Sequence, residues 1–388
     1  MSSNINLTSP AVTVEWLHKN LNAENLVVLN GTIPKVVGDN SGVNQNQIVG
    51  ARFFDIKKKF SDVSAEFPNT FPSPEQFQKE ARALGINTDS AIVVYDDLGI
   101  YSSARVWWLF KAFGFTNVAV LSGGLLAWEK AGYPTENASE YQGNTGNFVA
   151  KLHPEFMKFF DDVKQASTNN THKIIDARSE NRFKGIEAEP RAGLRSGTIP
   201  NSINIPFTNL LDDGVLKPDD SLKTIFNDVA QNDEPIIFSC GSGITACVLA
   251  LGAEISGYKN ISVYDGSWTE WGSLVPHDME NPTTWTKDEL MAYILLFVAH
   301  SDLNETYKEK EYILSRVDKH VFTRVYEQFE KDNDYQSIQH IVEAVKTHDY
   351  YRNDLVDLFA DIKLMAFADG EMDEMENMVY TNLKKILK

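Results

Sequence analysis

Two stretches of the chain carry the same alternation of apolar runs and turns. Residues 91–128 read AIVVYDDLGIYSSARVWWLFKAFGFTNVAVLSGGLLAW, and residues 235–271 read PIIFSCGSGITACVLALGAEISGYKNISVYDGSWTEW. Each opens with a short apolar run. A glycine-containing loop follows, then an apolar helical stretch, an aromatic–glycine turn, a second β-rich run and a glycine–tryptophan ending. Short apolar runs that are bounded by turn signals and alternate with helices predict buried parallel strands in βαβ units. The likeness extends upstream. Residues 12–33 (VTVEWLHKNLNAENLVVLNGTI) and 153–178 (HPEFMKFFDDVKQASTNNTHKIIDAR) each predict a helix followed by a buried strand.

The pattern divides the chain into three. Residues 1–140 and 141–280 read as two copies of one α/β domain with parallel sheets flanked by helices. The polar stretch 134–145 suits the linker between them, and two packed copies leave a cleft, a common place for small-molecule sites. Beyond residue 281 glycine almost disappears, and apolar residues recur at helical spacing, as at Leu355, Leu358, Phe359, Ile362, Met365 and Ala366. This predicts an all-helical third domain over 281–388. It holds a faint duplication of its own: AHSDLNETYKEKEYI from Ala299 resembles AFADGEMDEMENMV from Ala366, pairing Asp302 with Asp369 and Glu309 with Glu376.

Composition narrows the function classes. A length of 388 residues fits two or three domains. The net charge of −18 argues against nucleic acid, whose phosphates attract clustered Lys and Arg, and against an anionic membrane surface. The start of the sequence is polar, without the basic-then-apolar pattern of a signal peptide. The longest apolar run, 290–299, is shorter than the ~20 residues of a membrane span. The two cysteines, Cys240 and Cys247, form neither a disulfide framework nor a CxxC site. The expectation is a soluble protein of a reducing compartment, the cytoplasm, that needs no cofactor or metal.

The segment with most chemical content is IIFSCGSGITA, residues 236–246. A buried strand runs into Cys240, Gly241 and Gly243 let the backbone curl, and a helix begins near Thr245. Successive amides in such a loop point inward at one sulfur, and the helix N-terminus adds partial positive charge. Both favour the thiolate, which is the nucleophile, and the same cradle suits a persulfide anion. The bland alternative is that Cys240 is a small buried hydrophobe. A phosphatase loop, Cys-x5-Arg, is a poor alternative: the arginine position holds Ala246, and the loop contains no cation for a phosphoryl dianion. Cys247 falls two helical turns past Cys240 on the inward side, which suits a core residue better than a resolving thiol.

These motifs resemble the rhodanese fold, and CGSGITA resembles the active loop of 3-mercaptopyruvate sulfurtransferases. ARFFDI at Ala51, YSSARVWW at Tyr101, DARSENRFKG at Asp176, EPRAG at Glu189 and GTIPNSINIPF at Gly197 carry the same resemblance, which spans residues ~10–275. It implies a tandem rhodanese protein that moves sulfur from 3-mercaptopyruvate to a thiol or cyanide through a Cys240 persulfide, releasing pyruvate. Ser242 resembles the hydroxyl that assists proton movement. Arg182 and Arg191 match the arginines that bind the donor's carboxylate and ketone, where a guanidinium fork fits; taken singly, each reads as a surface ion pair. Gly241, Gly243, Ile244 and Thr245 would line the donor with Tyr101, which resembles a cleft residue. Thiosulfate-using relatives carry a basic Cys-Arg-Lys-Gly kind of loop, so thiosulfate is the runner-up donor. The first copy has DDLGI where the second has SCGSG, so it reads as an inactive partner. One departure stands out. Where the family places a relay histidine in the first domain, the stretch EFPNTFPSPEQF has Asn69, which cannot take a proton. This keeps open a sulfur-relay or binding protein without turnover, docking partners through its tail.

In the tail, ADGEMDEMEN fails the EF-hand pattern and resembles the helical domain of TerB-like proteins. Asp302, Glu309, Asp369 and Glu376 read as helix caps and first-turn acids rather than metal ligands. The expected role of residues 281–388 is protein interaction or self-association. The expected acceptor is a thiol such as thioredoxin or a low-molecular-weight thiol, with no nucleic-acid or membrane partner.

Overall fold

The computed structural model describes residues 4–35, 43, 45–275, 279, 282–301, 306–347, 355–368, 370, 372 and 374–387. Its contacts separate two compact units. One is Met1–Glu180 with Ile199–Leu274, and the other is Asn181–Thr198 with Val275–Lys388.

The first unit contains both predicted copies. Each has a five-stranded sheet, and the two sheets have one topology. In the first copy the order is Arg52–Phe53, Leu26–Asn30, Ala91–Tyr95, Val118–Leu121, Ala11–Val12, all parallel. In the second it is Ser202–Asn204, Lys173–Asp176, Ile236–Ser239, Ile261–Tyr264, Met157–Lys158, again all parallel. The central strands AIVVY and IIFS are buried at every position, because helices cover both faces of a parallel sheet and leave no solvent side for polar residues. The central strand of each copy runs directly into the loop singled out above. In open α/β sheets, ligands bind beyond the carboxyl ends of the strands.

After each loop comes a helix, Ser103–Ala112 in one copy and Ala246–Ile255 in the other. Both are apolar on nearly all sides, the mark of a helix packed on every face. The two helices pack against each other, so one hydrophobic core runs through both copies. Lys111 of the first helix pairs with Glu254 of the second.

Each copy also covers the other's loop. The hairpin Leu211–Asp212 and Val215–Leu216 turns through Asp213 (φ 50°) and Gly214 (φ 79°), the left-handed pair that two-residue hairpins require. It lies on the first copy's loop: a Cβ on Gly99 would sit 3.0 Å from the Cα of Gly214, and Leu216 N donates to Ser122 Oγ at 3.1 Å. Residues 69–71 of the first copy lie on the second copy's loop in turn. The expected linker is not wholly irregular, since Thr135–Asn137 pairs antiparallel with Asn46–Ile48.

The second unit is built on the helix Lys287–Ala299, buried throughout Leu290–Ala299. Five helices surround it: Tyr307–Arg316, Lys319–Phe329, Asp334–Thr347, Leu355–Ala366 and Glu374–Ile386. Thr286 and Glu289 close a reciprocal capping box at its start. Loop 181–198 packs in this unit. A Cβ on Gly185 (φ 69°) would meet Thr286 Cγ2 at 3.0 Å. Asp302 and Asp369 lie outside the described residues. Glu309 forms a capping box with Thr306, and Glu376 is buried. Among the described residues no helix is long and apolar enough to cross a membrane.

Candidate active site

Cys240 is the first residue beyond the strand Ile236–Ser239 and is 1% exposed. Gly243 has φ 73°, and a Cβ there would fall 2.5 Å from the Asp265 carbonyl oxygen, so the turn admits only glycine. Ser267 fastens both ends of the loop: its Oγ accepts from Cys240 N at 3.1 Å and Gly243 N at 3.2 Å and donates to Tyr264 O at 2.8 Å. The carbonyls of Cys240 and Gly241 are drawn to the amides of Trp268 and Thr269. Among the described residues, the amides of Gly241, Ile244 and Thr245 have no acceptor. Open N–H groups gathered ahead of a helix N-terminus form an anion-binding concavity.

The first copy shows what such a loop holds. Asp96 occupies the equivalent place after Ala91–Tyr95 and is fully buried. Its Oδ2 accepts from the amides of Tyr101 (2.8 Å), Ser102 (3.0 Å) and Ser103 (2.8 Å) and from Ser103 Oγ (2.7 Å), while Oδ1 accepts from Leu98 N at 3.0 Å. The duplicated loop is thus filled by a side-chain acceptor of its own.

Asn69, at the position expected for histidine, reaches the second loop. Its Nδ2 donates to Ser242 Oγ at 3.1 Å and to Ser242 O at 3.3 Å. A main-chain carbonyl only accepts, which sets the amide's orientation. Beneath this contact lies an ion pair absent from the sequence expectations. Arg105, 1% exposed, meets Asp265 at 2.6 Å. It also donates to Gly243 O at 3.3 Å and Asn69 O at 3.0 Å, and Asp265 Oδ2 accepts from Phe71 N at 2.7 Å. Burial is the largest influence and opposes the charge on Arg105, but Asp265 and Cys247 together outweigh it and the guanidinium pKa rises. A signal existed in the sequence: Arg105 interrupts the apolar run SARVWWLF, and charges are rarely buried unless paired.

Cys247 is fully buried with Sγ 3.4 Å from Gly243 O. Burial pushes its thiol up to about 12, against the lowering influence of Arg105. We expect Cys247 to resist iodoacetamide in the native protein at neutral pH and to react only after denaturation, as peptide mapping would show. Native labelling there would contradict a core role.

Other residues singled out in the sequence fall as follows. Ile244 is buried and Thr245 half-buried, at the N-cap of Ala246–Ile255. Tyr101 is half-buried with its ring 6.0 Å from that of Phe207. Arg178 pairs with Asp176 at 2.7 Å and lies over Trp268, fixing the start of the DARSENRFKG segment. In the second unit Arg182 forms a two-pronged pair with Glu189, at 2.6 and 3.2 Å. Arg191 lines a cavity of about 490 Å³ in that unit.

The rhodanese-like domain family matches residues 13–131 and 160–274. The chain belongs to the rhodanese family. Among curated relatives of this rhodanese, the mitochondrial thiosulfate/3-mercaptopyruvate sulfurtransferase 1 of Arabidopsis thaliana is 39% identical, covering 70% of this chain and 78% of its own. The 3-mercaptopyruvate sulfurtransferase of Escherichia coli K12 is 37% identical, covering 68% and 94%, and the human one is 36% identical, covering 67% and 91%. The crystal structure of E. coli SseA, described as a 3-mercaptopyruvate sulfotransferase, superposes with a TM-score of 0.60 at 35% identity, covering 67% of this rhodanese and 99% of SseA.

Proposed function

We propose that this rhodanese transfers sulfur from 3-mercaptopyruvate to a thiol acceptor through a persulfide on Cys240. The observation that carries the reading is the open amide cradle at Cys240, set beside a duplicate cradle that already holds the Asp96 carboxyl. The names of the relatives support the same donor. The Cys240 thiolate attacks the donor's sulfur, and an S–S bond forms as the C–S bond breaks. The electron pair leaves with carbon as pyruvate enolate, which then takes a proton. The sulfur keeps its own proton or sheds it to give a persulfide anion, which the amides stabilise.

Arg182 and Arg191 would grip the donor's carboxylate and ketone, and Tyr101 would line the cleft with Gly241, Gly243, Ile244 and Thr245. Ser242 would pass the proton. Asn69 orients that hydroxyl but cannot relay, so water completes the path. We therefore expect Asn69→His to raise kcat about tenfold or more and to introduce a limb in the pH–rate profile near ~6.5. Histidine tolerates the positive φ of 62° at this position better than most residues. An unchanged rate and profile would remove residue 69 from the proton path.

The loop holds no cation for a dianionic donor. Steady-state kinetics should give mercaptopyruvate a kcat/KM at least about tenfold above that of thiosulfate, the worth of one charge-assisted hydrogen bond. The reverse order would overturn the donor assignment. Asn69 also favours a second reading, a sulfur-relay protein with little turnover, which negligible kcat with stable partner capture would support.

We retain domain limits of 1–140, 141–280 and 281–388, with the last a TerB-like helical domain for partner docking or self-association. Its six amphipathic or buried helices support this role. A reducing, cytoplasmic setting suits the two free thiols, and thioredoxin or a small thiol suits the acceptor role.

A further inference from the structure

The cavity in the second unit is walled on one side by loop 181–198 and on the other by the helical region. At about 490 Å³ it lies in the range of sites for whole organic ligands, more than a three-carbon keto acid fills. Its walls carry Arg191 and Arg195 from the loop and Arg324 from the helix Lys319–Phe329. The acids around it are engaged. Glu189 pairs with Arg182, and Glu289, behind the wall, accepts from Arg324 at 2.9 Å and from Thr286 N at 2.8 Å. Asp318 caps its helix by accepting from His320 N, and burial, then Glu289, raises the pKa of Asp288. Arg324 uses one terminal nitrogen for Glu289, while its buried Nε has no acceptor among the described residues. A buried donor without an acceptor is costly, but this one is sealed from the cavity, so an incoming anion meets the terminal nitrogens of Arg324.

We infer that this cavity binds a 2-oxo acid carrying a second carboxylate, with Arg191 on one carboxylate and Arg324 on the other. A guanidinium from the loop and one from the helix Lys319–Phe329 can each take a planar carboxylate. The inference rests on the reading that Arg191 recognises a 2-oxo acid. The family match ends at residue 274, so the second fork belongs to the helical region that SseA, matched over 99% of its own length, lacks. Such a ligand would compete with mercaptopyruvate for Arg191.

The test is calorimetric titration of the full-length Cys240→Ser chain, which binds without turning over, using 2-oxoglutarate and pyruvate. We expect 2-oxoglutarate to bind at least about tenfold more tightly than pyruvate. Adding Glu289→Gln with Arg324→Gln removes the ion pair as a unit and keeps an acceptor for Thr286 N. The two acids should then bind within about twofold of each other. If that variant melts early, Arg324→Lys keeps a charge beside Glu289 but loses the fork, and should still erase most of the preference. Equal binding of the two acids by the parent, or an undiminished preference in the variants, overturns the inference. Should mercaptopyruvate fail to load sulfur onto wild-type Cys240 while the dicarboxylate preference is present and depends on Arg324, the donor reading falls and this site stands.

Discussion

The Cys240→Ser chain should acquire no sulfur from mercaptopyruvate, and its turnover should fall by about four orders of magnitude or more, the scale on which a missing covalent nucleophile is felt. A serine hydroxyl stays protonated in the same cradle and cannot accept sulfur to give a stable persulfide, whereas a thiolate is both nucleophile and sulfur acceptor. Mass spectrometry of the peptide holding residue 240 should show the gain of one sulfur atom in wild type and none in the variant. Cys247 provides an internal control, because its fully buried, strongly protonated thiol should gain nothing in either protein. The variant's melting temperature should hardly move, since the substitution changes little volume. Sulfur loading in the variant would transfer the chemistry to another residue and dismantle the proposed mechanism.

Replacing Arg105 with methionine should destabilise the chain by about 3–5 kcal/mol, the cost of leaving the partner of a buried ion pair uncompensated. Both side chains are almost fully buried, at 1% and 3% exposure. The Asp265 carboxylate would keep its bond from Phe71 N but lose its countercharge, and the Gly243 and Asn69 carbonyls would lose their donor. Sulfur transfer should fall along with stability, because the same guanidinium holds the turn at Gly243 and the segment that reaches Ser242. Denaturant unfolding measures the first effect. The Arg105→Met, Asp265→Leu double variant should recover much of the stability, since an apolar pair can replace a buried ionic one, without recovering the activity. An unchanged unfolding midpoint in Arg105→Met would show that the pair does not hold the copies together.

The sheets and the reactive loop were legible because local patterns specify them. AIVVY and IIFS are continuous apolar runs of strand length ended by a loop, and the repetition of that pattern pointed to paired domains. Cys240, Gly243 and the helix start were adjacent in sequence, so the cradle followed from local backbone chemistry. The rest depends on contacts between distant residues. The Arg105–Asp265 pair spans 160 positions, and no spacing rule links its members, although Arg105 is a charge placed in an apolar run. The hairpin at 211–216 carries an Asp-Gly turn signal, but its two strands are too short to give a pattern of their own. The packing of loop 181–198 in the helical unit had no local marker, since Gly185 meets Thr286 across a hundred residues.

The carboxyl of Asp96 has a consequence for stoichiometry. Its loop already receives five hydrogen bonds from its own chain, and Gly214 from the other copy closes over Gly99. That half of the duplication is plugged from within, with no room for a guest anion and no need of one. If Cys240 carries the sulfur as proposed, each polypeptide should therefore load a single atom, although the architecture was built with two seats.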